Sequence, residues 1–417
     1  PTPSTSTTTT TPTTTTTSGT TTKPTPSTST TTTTPTTTTT SGTTTKPTPS
    51  TSTTSPFPAV KELLCTVGHT AVANNMYPND DLCQYLYYTD VVIVDGKIRP
   101  SSERNSWKLF QIKARSYTKV QSGIAFDHWQ ITPELVRNAK NELDELARNK
   151  IGSYGLLNVI RKPSELKDVV QAMKPVIEVL KELQGSDDDR RTVIAIGSYD
   201  YGDLGFLNTY RDIFKDIIDT FKADAAIAIS SVSSMEDQAG CYAAPPNVFK
   251  SNRSKFPSLA THWPLVRFNE TYADGKMLRG LSFEMGTLVY VLQEGVRSLR
   301  AAAYARCTDF IMTSRDAICG KRQFVDASTQ FLGEPYDIYA TFLEDDVYNY
   351  VAFAEYHTSA LEKFVTARRK YGSLHHRSAW LLFNVHLGDV RPKCGADAFS
   401  VVKWFCQYYK GTDSCGP

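Results

Sequence analysis

A short apolar run, Tyr-Gly-Leu-Leu-Asn-Val-Ile over 154–160, ends on Arg161, Lys162 and Pro163. It is too short for a buried helix and rich in Leu, Val and Ile, and a helical pattern flanks it on both sides. Before it, Thr132, Pro133 and Glu134 supply an N-cap, a first-turn proline and an acid at the positive end of a helix dipole, and Leu135, Ala139, Leu143 and Leu146 repeat at helical spacing. After it, Ser164 is the expected cap of a second helix carrying Leu166, Val169, Val170, Met173, Ile177 and Leu180. A strand between two helices belongs to a parallel sheet.

The same alternation recurs along the chain. Apolar runs at 63–67, 83–94, 123–129, 193–199, 225–232, 281–291 and 379–390 join 154–160 to make eight expected strands, with a further amphipathic helix over 210–221. Eight such units predict a (β/α)8 barrel in the α/β class. Strand C-termini in such a barrel face the functional mouth, so 159–162 is expected there.

The first 57 residues are of another kind. Residues 1–23 recur unchanged at 24–46, and a third copy starts at Pro47 and fades near Phe57, nearly all of it Thr, Ser and Pro. Such a segment has little to bury against its ordering entropy, and its hydroxyls and prolines suit a disordered, O-glycosylated, mucin-like stalk. The chain therefore divides into a stalk, 1–57, and a globular domain, 58–417. It starts at Pro1, so a secretory signal is expected to have been removed or left out.

Eight cysteines, an even number beside a mucin-like leader, point to an oxidising, extracellular location. Charges of 45 basic against 43 acidic residues give no bias toward nucleic acid, and no apolar run approaches the ~18 residues of a membrane span. The seven histidines show no ligand spacing such as His-Glu-x-x-His, so neither metal nor cofactor is expected. Asn252 and Asn269 head N-glycosylation sequons.

The stretch 154–163 resembles the signature strand of glycoside hydrolase family 18, the chitinases and chitinase-like lectins, written Asp-Gly-x-Asp-x-Asp-x-Glu-x-Pro. Gly155 and Pro163 fall on its glycine and proline, while its acidic positions fall on Tyr154, Leu157, Val159 and Arg161. The run 123–129 is similar to the family's Ser-x-Gly-Gly-Trp strand, with Asp127 and His128 in place of the glycines and Trp129 kept. The sixth-strand pattern Met-x-Tyr-Asp reads Ile229, Ser230, Ser231 and Val232. Near the C-terminus Asp389, Cys394 and Gly395 match, Phe383 replaces a pocket-flooring tryptophan, and Ser359 and Lys363 fit the helix before it. A rival register makes 192–199 the third family strand and 225–231 the signature, leaving two strand–helix units over and placing Ser231 at the acid.

The resemblance, to a divergent, secreted, arthropod-type branch, implies a TIM barrel with a small α+β insertion between strands seven and eight, about 292–372. It implies disulfides Cys65–Cys83, Cys307–Cys394, Cys406–Cys415 and Cys241–Cys319. Family hydrolysis needs a glutamic acid to protonate the leaving oxygen, and Arg161 at that position cannot give up a proton at neutral pH. The implied protein is a non-catalytic monomer binding chitin or N-acetylglucosamine oligosaccharides. Trp129, Tyr199, Asp200 and Phe383 are the expected ligand-binding residues, with 199–203 a polar-aromatic loop or else a plain Asx turn. Two alternatives stand beside it: an enzyme with relocated carboxylates (Asp127, Asp200, Asp203, Glu236, Asp237 or Glu284), and a scaffold whose glycosylated tail is the working part.

Overall fold

The computed structural model describes residues 59–102, 105–232, 240–251, 253, 255–267, 276–296, 298–319, 329–344, 349–394, 397–411 and 415. The repeat over 1–57, the sequons at Asn252 and Asn269, Glu236, Asp237 and Gly395 lie outside the described residues.

Strands follow in chain order as β1 (Val60–Val67), β2 (Tyr85–Val94), β3 (Lys97–Pro100), β4 (Gln121–Phe126), β5 (Ile151–Arg161), β6 (Thr192–Ser198), β7 (Ala225–Ala228), β8 (Leu278–Glu284), β9 (Thr287–Leu292), β10 (Cys307–Thr313), β11 (Thr329–Leu332), β12 (Ile338–Glu344), β13 (Asn349–Ala354) and β14 (Arg377–Phe383). The order β1-β14-β8-β7-β6-β5-β4-β2 is parallel throughout and closes through the β1–β2 pair, with β3 added antiparallel to β2. The fold is a (β/α)8 barrel, and β5 is its fourth barrel strand, which removes the rival register.

Two apolar layers hold the ring. Inside it lie Leu64, Tyr87, Leu157, Ala195, Ile227, Leu381 and others, packed as a core. Outside, Leu156, Val159, Val170, Ile177, Ile194, Tyr210 and Ile217 bind strands to helices. Thr132 accepts the Leu135 amide at 3.2 Å as an N-cap should, but the helix breaks at Ala139 into Pro133–Asn138 and Lys140–Arg148. Ser164 is not a cap: Pro163 opens the helix Pro163–Gln184, as its fixed φ favours, with Lys162 at the N-cap.

The expected seventh strand, 281–291, is two strands. β8 belongs to the barrel and β9 to a separate five-stranded antiparallel sheet, β10-β9-β13-β12-β11. They part at Gly286, whose amide donates to Glu284 Oε1 at 2.8 Å, and a Cβ there would stand 2.9 Å from Met312 Cγ. The insertion sheet thus starts at Thr287 rather than near 292. The helix His357–Tyr371 buries Ala360, Phe364 and Ala367 in the barrel's outer core, so the insertion ends before it rather than at 372.

Four disulfides form. Cys65–Cys83 and Cys406–Cys415 pair as the resemblance implies, but the other two exchange partners: Cys241 bonds Cys307, and Cys319 bonds Cys394. The reason is tertiary. A bridge between Tyr242 and Arg306 and a hydrogen bond from the Cys307 amide to the Cys241 carbonyl (3.1 Å) set those residues side by side. Cys319 ends the helix Arg315–Cys319, whose Asp316 pairs with Arg391 at 2.9 Å, three residues from Cys394.

Candidate functional site

A cleft of about 330 Å³ opens at the C-terminal ends of the barrel strands. Two β-bulges shape it. In β2, Thr89 and Asp90 sit together opposite Ala125 of β4, with Asp90 at φ 60°. In β5, Leu157 and Asn158 sit together opposite Ala195 of β6. A bulge adds one residue and flips which side chains face inward beyond it. Both bulged pairs therefore reach the cleft, Thr89 with Asp90 and Leu157 with Asn158.

The β5 bulge corrects the expected signature geometry. Leu157 faces the barrel interior, but Val159 packs outside among the helices, and Ile160 is the next side chain to reach the cleft. Arg161 is 5% exposed, hydrogen-bonds the Ile160 carbonyl at 3.2 Å, and lays its guanidinium over the Trp129 ring with the carbon 2.8 Å from the centroid. β5 thus lends the cleft Leu157, Asn158 and Ile160, none of them acidic.

After β4 the chain turns at Asp127, whose carboxylate accepts the Trp129 amide at 3.1 Å. This Asx turn stands Trp129 out, 63% exposed, at the cleft edge. His128 points inward. Its Nδ1 lies 3.2 Å from Asn158 Oδ1, and burial together with the nearby Arg161 charge pushes it down to about 4, so it is neutral at physiological pH. Burial also pushes the Asp90 carboxyl upward, with the Asp127 charge acting the same way against Thr89 and His69.

Tyr199 and Phe383 complete the wall, so Trp129, Tyr199 and Phe383 share one cleft. Asp200 does not join them: its carboxylate accepts the Gly202 amide at 2.7 Å in an Asx turn. Asp203 caps the helix Leu204–Thr220 by accepting the Gly205 amide at 2.8 Å. Glu284 is fully buried behind the cleft, held by Asn384 Nδ2 at 3.1 and 3.2 Å and by Gly286; burial pushes it up to about 7 against those bonds. Asp389 is buried beside Asp316 and Arg315, away from the lining residues. Of the relocated-acid candidates among the described residues, only Asp127 lines the cleft.

Four lining residues escape sequence reasoning: Thr89, Asp90, Asn158 and Asn384. Three left a signal, since Thr89-Asp90 interrupts the apolar run 83–94 and Asn158 is the one amide in 154–160. Among the described residues no group of three or more His, Cys, Asp or Glu is gathered as a metal ion needs, and no helix is long and apolar enough to cross a membrane. The arrangement offers aromatic surface for a sugar ring, amide and carboxylate groups for its polar atoms, and two carboxylates as potential proton carriers.

No protein-family model and no curated protein matches the sequence. Solved structures do. Catalytic domain 2 of the Ostrinia furnacalis group II chitinase superposes with a TM-score of 0.60 at 12% identity, covering 85% of this chain and 98% of that one. A human pseudo-chitinase with retained chitooligosaccharide binding gives 0.55 at 9% over 82% and 98%, and a chitinase-like agglutinin of Robinia pseudoacacia gives 0.53 at 10% over 85% and 99%. In its closed eight-strand barrel, this chain shares the fold of chitinases and chitinase-like proteins.

Proposed function

We propose that the chain is a secreted, non-catalytic chitinase-like protein that binds chitin-type oligosaccharides at the barrel mouth and carries an O-glycosylated stalk. The observation behind this reading is the cleft itself. Trp129, Tyr199 and Phe383 give it an aromatic wall, Asn158 and Asn384 give it amides, and β5 brings it no carboxylate. Without a general acid, hydrolysis by the family route forfeits about 100- to 10,000-fold. Among the structural neighbours are a pseudo-chitinase with retained chitooligosaccharide binding and a chitinase-like agglutinin, which supports a binding role for this fold. The four disulfides suit an extracellular site of action.

One observation favours a second reading: Asp90 and Asp127 both line the cleft, and Asp90 holds its proton more tightly than an ordinary carboxyl. Calorimetry with N-acetylated chitotetraose, paired with a turnover assay, separates the two. Saturable heat without product, lost in Trp129→Ala, is the expected result. Product that disappears in Asp90→Asn establishes the enzyme instead, and absence of both heat and product leaves the stalk as the working part.

A further inference from the structure

Resting on the glycan-binding reading, we propose that the cleft selects amino sugars with a free, protonated amine, glucosamine units of a deacetylated oligomer, over their N-acetylated counterparts.

Three groups carry this. Asp90 and Asp127 enter the cleft from the β2 bulge and the turn after the neighbouring strand β4, close enough that the Asp127 charge acts on Asp90. His128 is the third. Asn158 Oδ1 can only accept, so His128 Nδ1 bears the ring proton and Nε2 is a bare acceptor. That Nε2 is buried with no hydrogen-bond partner, on a residue 5% exposed that lines the cleft. A buried acceptor without a donor costs free energy that a ligand donor recovers.

The chemistry of the lining is that of an acceptor set: two carboxylates and an imidazole nitrogen. An ammonium group has three donors, no acceptor and one positive charge, and its bonds to carboxylates are charge-assisted. An acetamide has one N–H, no charge, and a carbonyl oxygen for which carboxylates are poor neighbours. The basic groups beside Asp90 and Asp127 do not cancel them. His69 lies near Asp90, and the Arg161 guanidinium, stacked on the Trp129 ring and bonded to the Ile160 carbonyl, sets a single positive charge against the two carboxylates.

Calorimetry of the full chain at pH 6 with glucosamine tetramer and with N-acetylglucosamine tetramer is the test. The free amine form is expected to bind at least about tenfold tighter, with the ratio of affinities shrinking in Asp90→Asn and Asp127→Asn and in wild type at high salt. Equal or tighter binding of the acetylated tetramer overturns the inference and leaves the glycan-binding reading intact. A preference that persists unchanged in both variants overturns it too, because the amine is then recognised elsewhere. Binding of neither tetramer overturns the glycan-binding reading itself, and this inference with it.

Discussion

Arg161 covers one face of Trp129, its guanidinium carbon 2.8 Å from the ring centroid. The pair joins the last residue of a barrel strand to the exposed aromatic of the neighbouring loop. An acid at 161 would leave that ring uncovered, and an alanine at 129 would leave the guanidinium without its partner face. In this chain Arg161, which the sequence resemblance aligns with a proton donor, packs against the aromatic wall of the cleft.

Arg161→Glu is therefore expected to restore no hydrolysis. The β5 bulge sends Ile160, rather than residue 161, into the cleft, so the new carboxylate would not lie along the wall. The variant should lose roughly 1 to 2 kcal/mol of stability with the stacked pair. Turnover of a chromogenic chitobioside and urea denaturation check both parts; turnover in the single variant would place residue 161 against substrate after all.

The exchange of disulfide partners is open to direct measurement. Peptide mapping without reduction should recover Cys241 with Cys307 and Cys319 with Cys394. The second bond spans a separation of 75 residues, and loop-closure entropy on that scale makes its loss worth roughly 4 kcal/mol. A Cys319→Ser, Cys394→Ser double variant should lower the urea midpoint accordingly. Recovery of Cys307 with Cys394 would refute the arrangement.

What the sequence made legible follows from what each feature depends on. Barrel strands show as apolar runs because burial on both faces demands it, so β5, β6 and β7 sit where 154–160, 193–199 and 225–232 are apolar. Trp129, Tyr199 and Phe383 could be placed at the mouth because each lies at or just past a strand end. A bulge leaves no mark in composition, so the outward turn of Val159 and the inward turn of Asp90 were hidden. The apolar run 281–291 concealed a strand break because both β8 and β9 are buried, each in a different sheet. The pairing among Cys241, Cys307, Cys319 and Cys394 was illegible for the reason that it depends on how the insertion docks on the barrel.

Where the insertion meets the barrel, Lys363 and Glu355 form a buried ion pair at 2.9 Å, with Asn247 bonding Glu355 at 3.0 Å and bridging to the Glu284 backbone. Removing one partner strands a charge out of water. Lys363→Met should cost roughly 3 to 5 kcal/mol, while Lys363→Met with Glu355→Gln should recover much of the loss. A double-mutant cycle by urea denaturation measures the coupling; additive effects would mean the two charges do not act as a pair.

Glu284 gives a pH dependence whose sign is fixed by its burial. The folded protein holds this proton up to about pH 7, whereas the ordinary value is 4.5. Folding thus takes up a proton between those limits, so the contribution is full below pH 4.5 and is lost as pH rises through 7. The span corresponds to about 3 kcal/mol. Glu284→Gln keeps an oxygen for the Gly286 amide and has no proton to lose, so its stability should not carry this slope. Asp389, also pushed up to about 7, tilts both proteins alike and cancels in their difference. Urea midpoints at pH 4.5, 6 and 8 should show the wild type falling progressively behind Glu284→Gln, and parallel curves would show that Glu284 ionises in the folded protein as freely as in the unfolded chain.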